Sequence, residues 1–301
     1  MSELPLRTDP GEHPMILRYR HHDHTQIGWA DGNVVVPLAD SLSDLLQLRI
    51  DDLRRMIDKR GDTSVPRTDV EVLAPIDGRT ELWAAGVTYA TSQSARIDES
   101  ESSADVYAKV YDADRPELFF KSVGWRVIGD GGTIRARADS VVDVPEPELA
   151  VLVNAHRELV GFAVCNDMSS RTIEAANPLY LPQAKIYEGS SALGPGVVPV
   201  WEIADPYELE LRLTIVRDGK TAWAGSAVVA QLHRRIHDLV DWLHRELRFP
   251  DGVWLSTGTC LVPELPFSVA DGDEIIIDIP TVGTLTNLVQ RVPPAPAPMA
   301  G

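Results

Sequence analysis

The chain has 301 residues, of which 44% are hydrophobic and 24% are charged, a composition typical of folded globular proteins. Its 45 acidic and 28 basic residues give a net charge of −17, which repels phosphate backbones and argues against a nucleic-acid partner. The two cysteines, Cys165 and Cys260, are too few for a disulfide scaffold. There is no apolar leader and no run of about 20 apolar residues, so we expect a cytoplasmic protein without a membrane partner.

The N-terminal part of the chain has a short α/β pattern. Residues 1–14 are rich in proline and are expected to form a flexible arm. Within residues 15–69, strand-like runs flank Asp31-Gly32, a pair that favours a tight hairpin turn. Apolar residues at near-helical spacing follow over residues 40–59. This pattern predicts a small N-terminal α/β domain.

Residues 70–292 have a different, strand-rich pattern. Valine-rich runs recur between Gly, Pro, Asp and Asn residues, and few segments have helical spacing. We therefore predict a mainly β fold with α/β elements, a sandwich or barrel-like roll rather than alternating βαβ units. No glycine-rich phosphate loop occurs at a strand–helix junction, which argues against a nucleotide site. The Pro/Ala-rich residues 293–301 are expected to form a disordered tail.

Three acidic residues lie at the ends of two apolar strands. Glu146 and Glu148 are two residues apart on an extended, proline-flanked segment, so their side chains project toward the same side. Asp167 ends the next apolar strand, and a single hairpin would bring it close to the two glutamates. Three converging carboxylates favour a hard divalent cation. The alternatives are an exposed strand end for the glutamates and a helix cap for Asp167.

A lysine and a glutamate are further candidates for chemistry. Lys185 lies among Tyr, Leu, Pro and Ile residues, a setting that disfavours a solvated charge and indicates either a buried ion pair or a desolvated base. Glu117 and Lys121 mark the two ends of another apolar strand, which alone is a weak signal. Spacing does not decide between these roles.

Eight motifs in chain order resemble the fumarylacetoacetate hydrolase family. They span the strand-rich region and are WAAGVTY, RPELFFK, PEPELA, NDMSSR, LYLPQAKIYEGS, ALGP, STGTCLVP and VGTLTN. The resemblance implies a mixed β-sandwich roll behind a small N-terminal α/β domain, assembled into homodimers or homotetramers. It also implies a Mg²⁺ or Mn²⁺ site formed by Glu146, Glu148 and Asp167, with Lys185 as the matching lysine and Glu117 near the substrate.

Within this family, the chain resembles the dehydratases of 2-keto-3-deoxy sugar acids. The hydrolases of the family have a His/Glu pair after the GxxY segment that activates water. In this chain the corresponding segment, Tyr89–Arg96, contains no histidine, and all eight histidines lie outside the matched motifs. We therefore expect dehydration rather than hydrolysis. Hydrolysis would need another side chain, such as Glu99 or Glu101, to orient the water.

The expected reaction is the Mg²⁺-dependent dehydration of a 2-keto-3-deoxy-arabinonate-type acid to 2,5-dioxopentanoate. This small anionic 2-oxo acid would chelate the metal, which would stabilise the enolate formed when a C3 proton leaves. Lys185 is the expected base and Glu117 the expected acid, with the reverse assignment left open. Further substrate contacts are expected from the matched motifs, at Phe119, Lys121, Ser190, Thr257 and Thr259. The alternatives are a β-diketo acid hydrolase, a decarboxylase, a non-catalytic family member, and Schiff-base chemistry at Lys185.

Overall fold

The computed structural model describes residues 13–89 and 109–291 of the chain. Within them the strands are β1 (Met15–His21), β2 (His24–Asp31), β3 (Val34–Ala39), β4 (Val65–Pro66), β5 (Glu71–Leu73), β6 (Glu81–Gly86), β7 (Glu117–Val123), β8 (Thr133–Ala136), β9 (Asp143–Val144), β10 (Pro147–Val153), β11 (Leu159–Asp167), β12 (Ser169–Ser170), β13 (Ser191–Pro199), β14 (Glu210–Arg217), β15 (Lys220–Val228), β16 (Val253–Thr259), β17 (Glu274–Ile279) and β18 (Gly283–Arg291). The helices are α1 (Leu42–Leu46), α2 (Ile50–Asp58), α3 (Arg171–Ala176), α4 (Leu181–Lys185) and α5 (Ile236–Leu243). None of these described helices is long and apolar enough to cross a membrane. The predicted tail and almost all of the predicted arm lie outside the described residues.

The N-terminal segment folds into antiparallel strands and two short helices. β1 pairs with β2, and β2 pairs with β3. The helical stretch predicted over residues 40–59 is divided into α1 and α2. The division follows from contacts with the loop between β10 and β11, where Ala155 N donates to Leu46 O at 3.0 Å and Asn154 Nδ2 donates to Leu48 O at 2.9 Å. The Leu46 carbonyl at the end of α1 and the Leu48 carbonyl beyond it therefore bond to this loop instead of continuing the helix.

The largest sheet runs without a break from the N-terminal segment into the strand-rich region. Its strand order is β4-β3-β2-β1-β13-β11-β10-β16-β6-β7, with β5 paired to β1. Ile16 of β1 lies opposite Val197 of β13, which joins the two parts of the chain. Most neighbouring strands are antiparallel, but β16 and β6 are parallel, so the sheet is mixed. The domain boundary between residues 15–69 and 70–292 stays a prediction.

A second sheet has the order β15-β14-β17-β18-β8 and shares a buried core with the first sheet. Alternate residues of β10 enter two separate cores. Leu149, Val151 and Val153 belong to the core that includes the inward residues of β14 and β17. Ala150 and Leu152 belong to the core that includes α1 and α2. Both faces of β10 are therefore buried, and the strand is a rigid base for the acidic residues at its start.

The large sheet curls back on itself. In strand order, β10, β16 and β6 separate β11 from β7, and in a flat sheet this would place β11 and β7 about 19 Å apart. Nevertheless, Lys121 of β7 and Asp167 at the end of β11 form an ion pair of 2.6 Å. The curl closes one end of these strands around a common centre. This architecture confirms the predicted mainly β, mixed β-sandwich roll.

Candidate active site

The three predicted metal ligands meet where β10 begins and β11 ends. Pro147 lies opposite Asn166 in the antiparallel pairing of the two strands. Asp167 N donates to Glu146 O at 2.9 Å, which holds the two residues side by side. One carboxylate oxygen of each of Glu146, Glu148 and Asp167 lies within 4.8 Å of the others. The hairpin inferred from the sequence therefore brings the three carboxylates together.

The carboxylates are buried, and their burial makes a cation favourable. Glu146 is 2% exposed and Glu148 and Asp167 are each 1% exposed. Burial, followed by the charges of Asp167 and Glu146, raises the pKa of Glu148 to about 8. Glu148 Oε2 accepts hydrogen bonds from Ser256 Oγ and, at 2.9 Å, from Gly258 N. A divalent cation would relieve the mutual repulsion, and three buried carboxylates are the hard oxygen donors that such a cation prefers, so these residues fit it.

Lys185 contacts two of these three carboxylates. Its Nζ donates to Glu146 Oε2 at 2.5 Å, to Asp167 Oδ2 at 3.0 Å and to Ser169 Oγ at 2.5 Å. The same atom lies 5.8 Å from the centre of the Phe119 ring. Lys185 therefore forms the buried ion pair that the sequence offered as one alternative. Its role as a base, the other alternative, stays a prediction.

Lys121 is a second buried lysine, on the other side of Asp167. Its Nζ lies 2.6 Å from Asp167 Oδ1 and donates to Met168 O at 3.1 Å and to Lys185 O. Burial lowers the pKa of Lys121, and the charge of Asp167 opposes this shift. Two main-chain carbonyls therefore accept hydrogen bonds from this ammonium group, and Asp167 balances its charge. Lys121 therefore connects one predicted metal ligand to the main chain at Lys185.

Two further charged residues belong to the site and are not among the sequence-predicted candidates. Arg171 Nη1 donates to Glu146 Oε1 at 2.9 Å, with both side chains almost completely buried. Glu174 is 2% exposed and lines the same pocket as the three acidic residues. Arg171 lies in the NDMSSR motif, and Glu174 follows it by one turn of α3. That proximity is a signal that would have pointed to both residues.

One pocket joins the predicted metal ligands to the predicted catalytic pair. It is lined by Ala85, Gly86, Val87, Glu117, Phe119, Glu146, Glu148, Asp167, Glu174, Leu181, Lys185 and Thr259. Glu117 begins β7 and lies directly opposite Gly86, the last residue of β6. The structure thus brings together Lys185, Glu117 and the three acidic residues, together with Phe119 and Thr259 from the predicted substrate contacts.

The other predicted substrate contacts do not line this pocket. Ser190 Oγ is buried and accepts a hydrogen bond from Tyr187 N at 3.3 Å. Thr257 Oγ1 donates to Leu149 O at 2.8 Å and thereby joins β16 to β10. Lys121 lies behind Asp167, as described above. Contacts between these three residues and a substrate stay predictions.

The structure describes only part of Tyr89–Arg96, the segment whose missing histidine favours dehydration over hydrolysis. Tyr89 is buried, whereas the rest of Tyr89–Arg96, and also Glu99 and Glu101, lie outside the described residues. The eight histidines all lie within the described ranges. The pocket lining contains none of them.

The family assignment follows from sequence comparison. Residues 83–290 match the fumarylacetoacetate (FAA) hydrolase C-terminal family. The chain belongs to this family. A probable 2-keto-3-deoxyxylonate dehydratase of Haloferax volcanii is 46% identical to it over 224 residues, which are 74% of this chain and 76% of the relative. A 2-dehydro-3-deoxy-D-arabinonate dehydratase of Saccharolobus solfataricus is 39% identical over 226 residues, again 74% of this chain and 76% of the relative.

A solved structure supports the same relationship in three dimensions. The 2-keto-3-deoxy-D-arabinonate dehydratase complexed with magnesium and 2,5-dioxopentanoate is 30% identical to this chain. It superposes with a TM-score of 0.79, covering 93% of this chain and 99% of that chain. These relatives confirm the prediction of a hydro-lyase of the fumarylacetoacetate hydrolase family. The individual roles of the site residues stay predictions.

Proposed function

We propose that this family member uses Mg²⁺ to dehydrate 2-keto-3-deoxy-D-pentonate to 2,5-dioxopentanoate. The observation that carries the proposal is the single pocket that holds Lys185 and Glu117 beside the three buried carboxylates. A proton donor, a proton acceptor and a cation site are what the removal of water next to a keto group requires. The relatives named for arabinonate and xylonate dehydration support the choice of substrate.

The two sugar names describe one substrate in the D series. In a 2-keto-3-deoxy-pentonate, carbon 2 is a ketone and carbon 3 is a methylene group, so carbon 4 is the remaining stereocentre. D-arabinonate and D-xylonate share their configuration at carbon 4 and differ at carbons 2 and 3. Both therefore yield the same 2-keto-3-deoxy acid. The pocket therefore has to distinguish only the two configurations at carbon 4.

The charges in the pocket support metal binding. Lys121, Lys185 and Arg171 contact the acidic residues, and the pocket also contains Glu117 and Glu174. Three basic side chains and a dication balance these five carboxylates, whereas the basic side chains alone do not. Glu146, Glu148 and Asp167 would hold the ion. A bound Mg²⁺ would act as a Lewis acid toward the keto oxygen and thereby acidify the C3 protons.

Lys185 is the proposed base for the C3 proton. Its Nζ now shares its protons with Glu146, Asp167 and Ser169. If Glu146 and Asp167 held a cation, it would compete with Lys185 for their oxygens and would place a positive charge beside the amine, and both effects would favour the neutral amine. The neutral amine can then accept the proton from C3.

Glu117 is the proposed acid for the hydroxyl group on carbon 4. It lines the pocket from β7, and Lys185 lines the same pocket from α4. A proton from Glu117 lets this hydroxyl leave as water while the C3–C4 double bond forms. Shifting that double bond to C4–C5 yields an enol of the C5 aldehyde, and its ketonisation completes 2,5-dioxopentanoate. One water molecule leaves in total, and no oxidant or reductant is consumed.

Product masses test this function against the alternatives. The purified protein is incubated with Mg²⁺ and, in parallel, with 2-keto-3-deoxy-D-arabinonate, its L enantiomer and acetylpyruvate. We expect loss of water from the D acid. Loss of carbon dioxide would indicate a decarboxylase, and cleavage of acetylpyruvate with addition of water would indicate a hydrolase. Either of these outcomes without dehydration contradicts the proposal.

We also propose that the protein assembles as a homodimer or homotetramer, as the family resemblance implies. Light scattering coupled to size-exclusion chromatography measures the mass directly. A monomer at the concentrations used for the activity assay would contradict this assembly.

A further inference from the structure

The space beside Gly86 can hold a side chain at position 86 or the side chain of Glu117, but not both. The two residues are cross-strand neighbours at the end of the β6–β7 pair. A Cβ atom placed on Gly86 would lie 2.1 Å from Glu117 Oε2 and 2.6 Å from Glu117 Cδ. The third-nearest atom, at 3.3 Å, is also a side-chain atom of Glu117. The Glu117 carboxyl group therefore lies where a side chain at position 86 would begin.

The backbone at position 86 does not itself require glycine. The φ angle of Gly86 is not in the left-handed region, so alanine could adopt its backbone conformation. Glycine inside a strand also costs conformational entropy and contributes no packing. The contact that alanine would disturb is the one with Glu117.

The chain that follows Gly86 is held on both sides. Thr88 Oγ1 donates to Thr257 O at 2.7 Å, and His233 N donates to Thr88 O at 2.9 Å. Between these anchors and Gly86, Val87 has a left-handed φ of 51° and lines the pocket. A β-branched residue keeps such a conformation only where its surroundings enforce it. Because the backbone cannot easily yield, a Cβ at position 86 would displace the carboxyl end of Glu117.

We infer that Gly86 is a positioning residue, whose missing side chain lets the Glu117 carboxyl group lie back over β6 and into the pocket that contains Lys185 and the acidic residues. What Glu117 does there rests on the proposed function. The placement itself rests on the geometry of the two strands. Gly86 has no side chain with which to bind a ligand or a substrate, and it acts through Glu117.

The test compares four proteins with one another: the parent, Gly86→Ala, Glu117→Ala and the double variant. Two reactions are followed with Mg²⁺ present. One is dehydration of 2-keto-3-deoxy-D-arabinonate, and the other is exchange of the C3 protons of pyruvate in heavy water, which needs no leaving group. Mg²⁺ affinity and the midpoint of chemical unfolding are measured on the same samples. Gly61→Ala is the matched control, because Gly61 is exposed and a Cβ there meets no atom within 4 Å.

Glu117→Ala defines which reaction depends on this carboxyl group. We expect Gly86→Ala to slow the same reaction by a factor of ~10²–10⁴, typical for loss of general acid–base catalysis. Its Mg²⁺ affinity should stay that of the parent. The double variant should be no slower than Glu117→Ala, because the two changes remove the same interaction. Full activity of Gly86→Ala, or a double variant slowed by the product of both factors, would overturn the inference.

Unfolding separates this inference from the proposed function. Without the Glu117 side chain, alanine at position 86 has room and is favoured over glycine, so the unfolding midpoint should rise. In the parent background, displacement of Glu117 should cancel this gain. This comparison of unfolding midpoints does not depend on activity. If the parent dehydrated none of the acids offered, only the proposed function would be contradicted. An equal rise in both backgrounds would show that Glu117 does not occupy the space at Gly86.

Discussion

Lys121 and Asp167 form an ion pair in which both side chains are buried. Lys121 Nζ lies 2.6 Å from Asp167 Oδ1, and the side chains are 0% and 2% exposed. The second oxygen of Asp167 contacts Lys185 at 3.0 Å. One carboxylate thus bridges two lysines, one from the end strand β7 and one from α4. The pair closes the roll at the point where the pocket lies.

Lys121→Met is expected to destabilise the protein by about 3 kcal/mol, because removing one partner of a buried ion pair is costly and Asp167 would keep only Lys185 as a compensating charge. Mg²⁺ should restore part of this loss, since a cation at the acidic residues supplies positive charge and binds the folded state. Chemical unfolding with and without Mg²⁺ measures both effects. Lys59→Met, at an exposed position, is the control. An equal Mg²⁺ effect on the parent and Lys121→Met would contradict this account.

Glu148→Gln is expected to retain the fold and weaken Mg²⁺ binding. The amide oxygen can still accept from Ser256 and Gly258, whose hydrogen bonds reach Glu148 Oε2. The loss of one charged ligand should reduce Mg²⁺ affinity at least about tenfold, since affinity follows the number of charged ligands. Titration calorimetry gives the affinity, with the exposed Glu246→Gln as the control. Unchanged affinity would remove Glu148 from the ligand set.

Lys185→Ala should stop C3 proton transfer while Mg²⁺ still binds. The lysine contacts Glu146 and Asp167 but supplies no ligand atom, so its removal frees their oxygens. Exchange of the C3 protons of pyruvate in heavy water should slow by a factor of ~10²–10⁴. Nuclear magnetic resonance follows the exchange, and Lys220→Ala, at an exposed position, serves as the control. If Lys185→Ala exchanged these protons as fast as the parent, another group would be the base.

His244 should make the protein less stable as the pH falls. It is 4% exposed, and burial lowers its pKa from the ordinary value of 6.5. In acid below that value, the unfolded chain takes up a proton that the folded protein resists, so stability present above pH 6.5 is lost as the pH falls toward the folded-state pKa. His244→Gln should therefore lose less stability than the parent between neutral and mildly acidic pH. His237→Gln, at an exposed position, should follow the parent, and parallel curves for all three proteins would refute the assignment.

The convergence of Glu146, Glu148 and Asp167 depends on local rules and could therefore be predicted from the sequence. Side chains alternate along a strand, so Glu146 and Glu148 project to one side. A hairpin pairs neighbouring strands, so Asp167 returns to the same end. Both rules act over short stretches of chain and need no knowledge of the remaining fold.

The sequence by itself predicted the mainly β class and the convergence of Glu146, Glu148 and Asp167, and it marked Lys185 and Glu117 as candidates for catalysis. Tertiary structure decided what surrounds them: the pairing of Lys121 with Asp167, of Arg171 with Glu146, and the overlap of Glu117 with the missing side chain of Gly86. These contacts depend on the order of strands in the sheet and on its curl. Strand order joins segments that are far apart in the chain, and no local pattern of residues encodes which of them will meet.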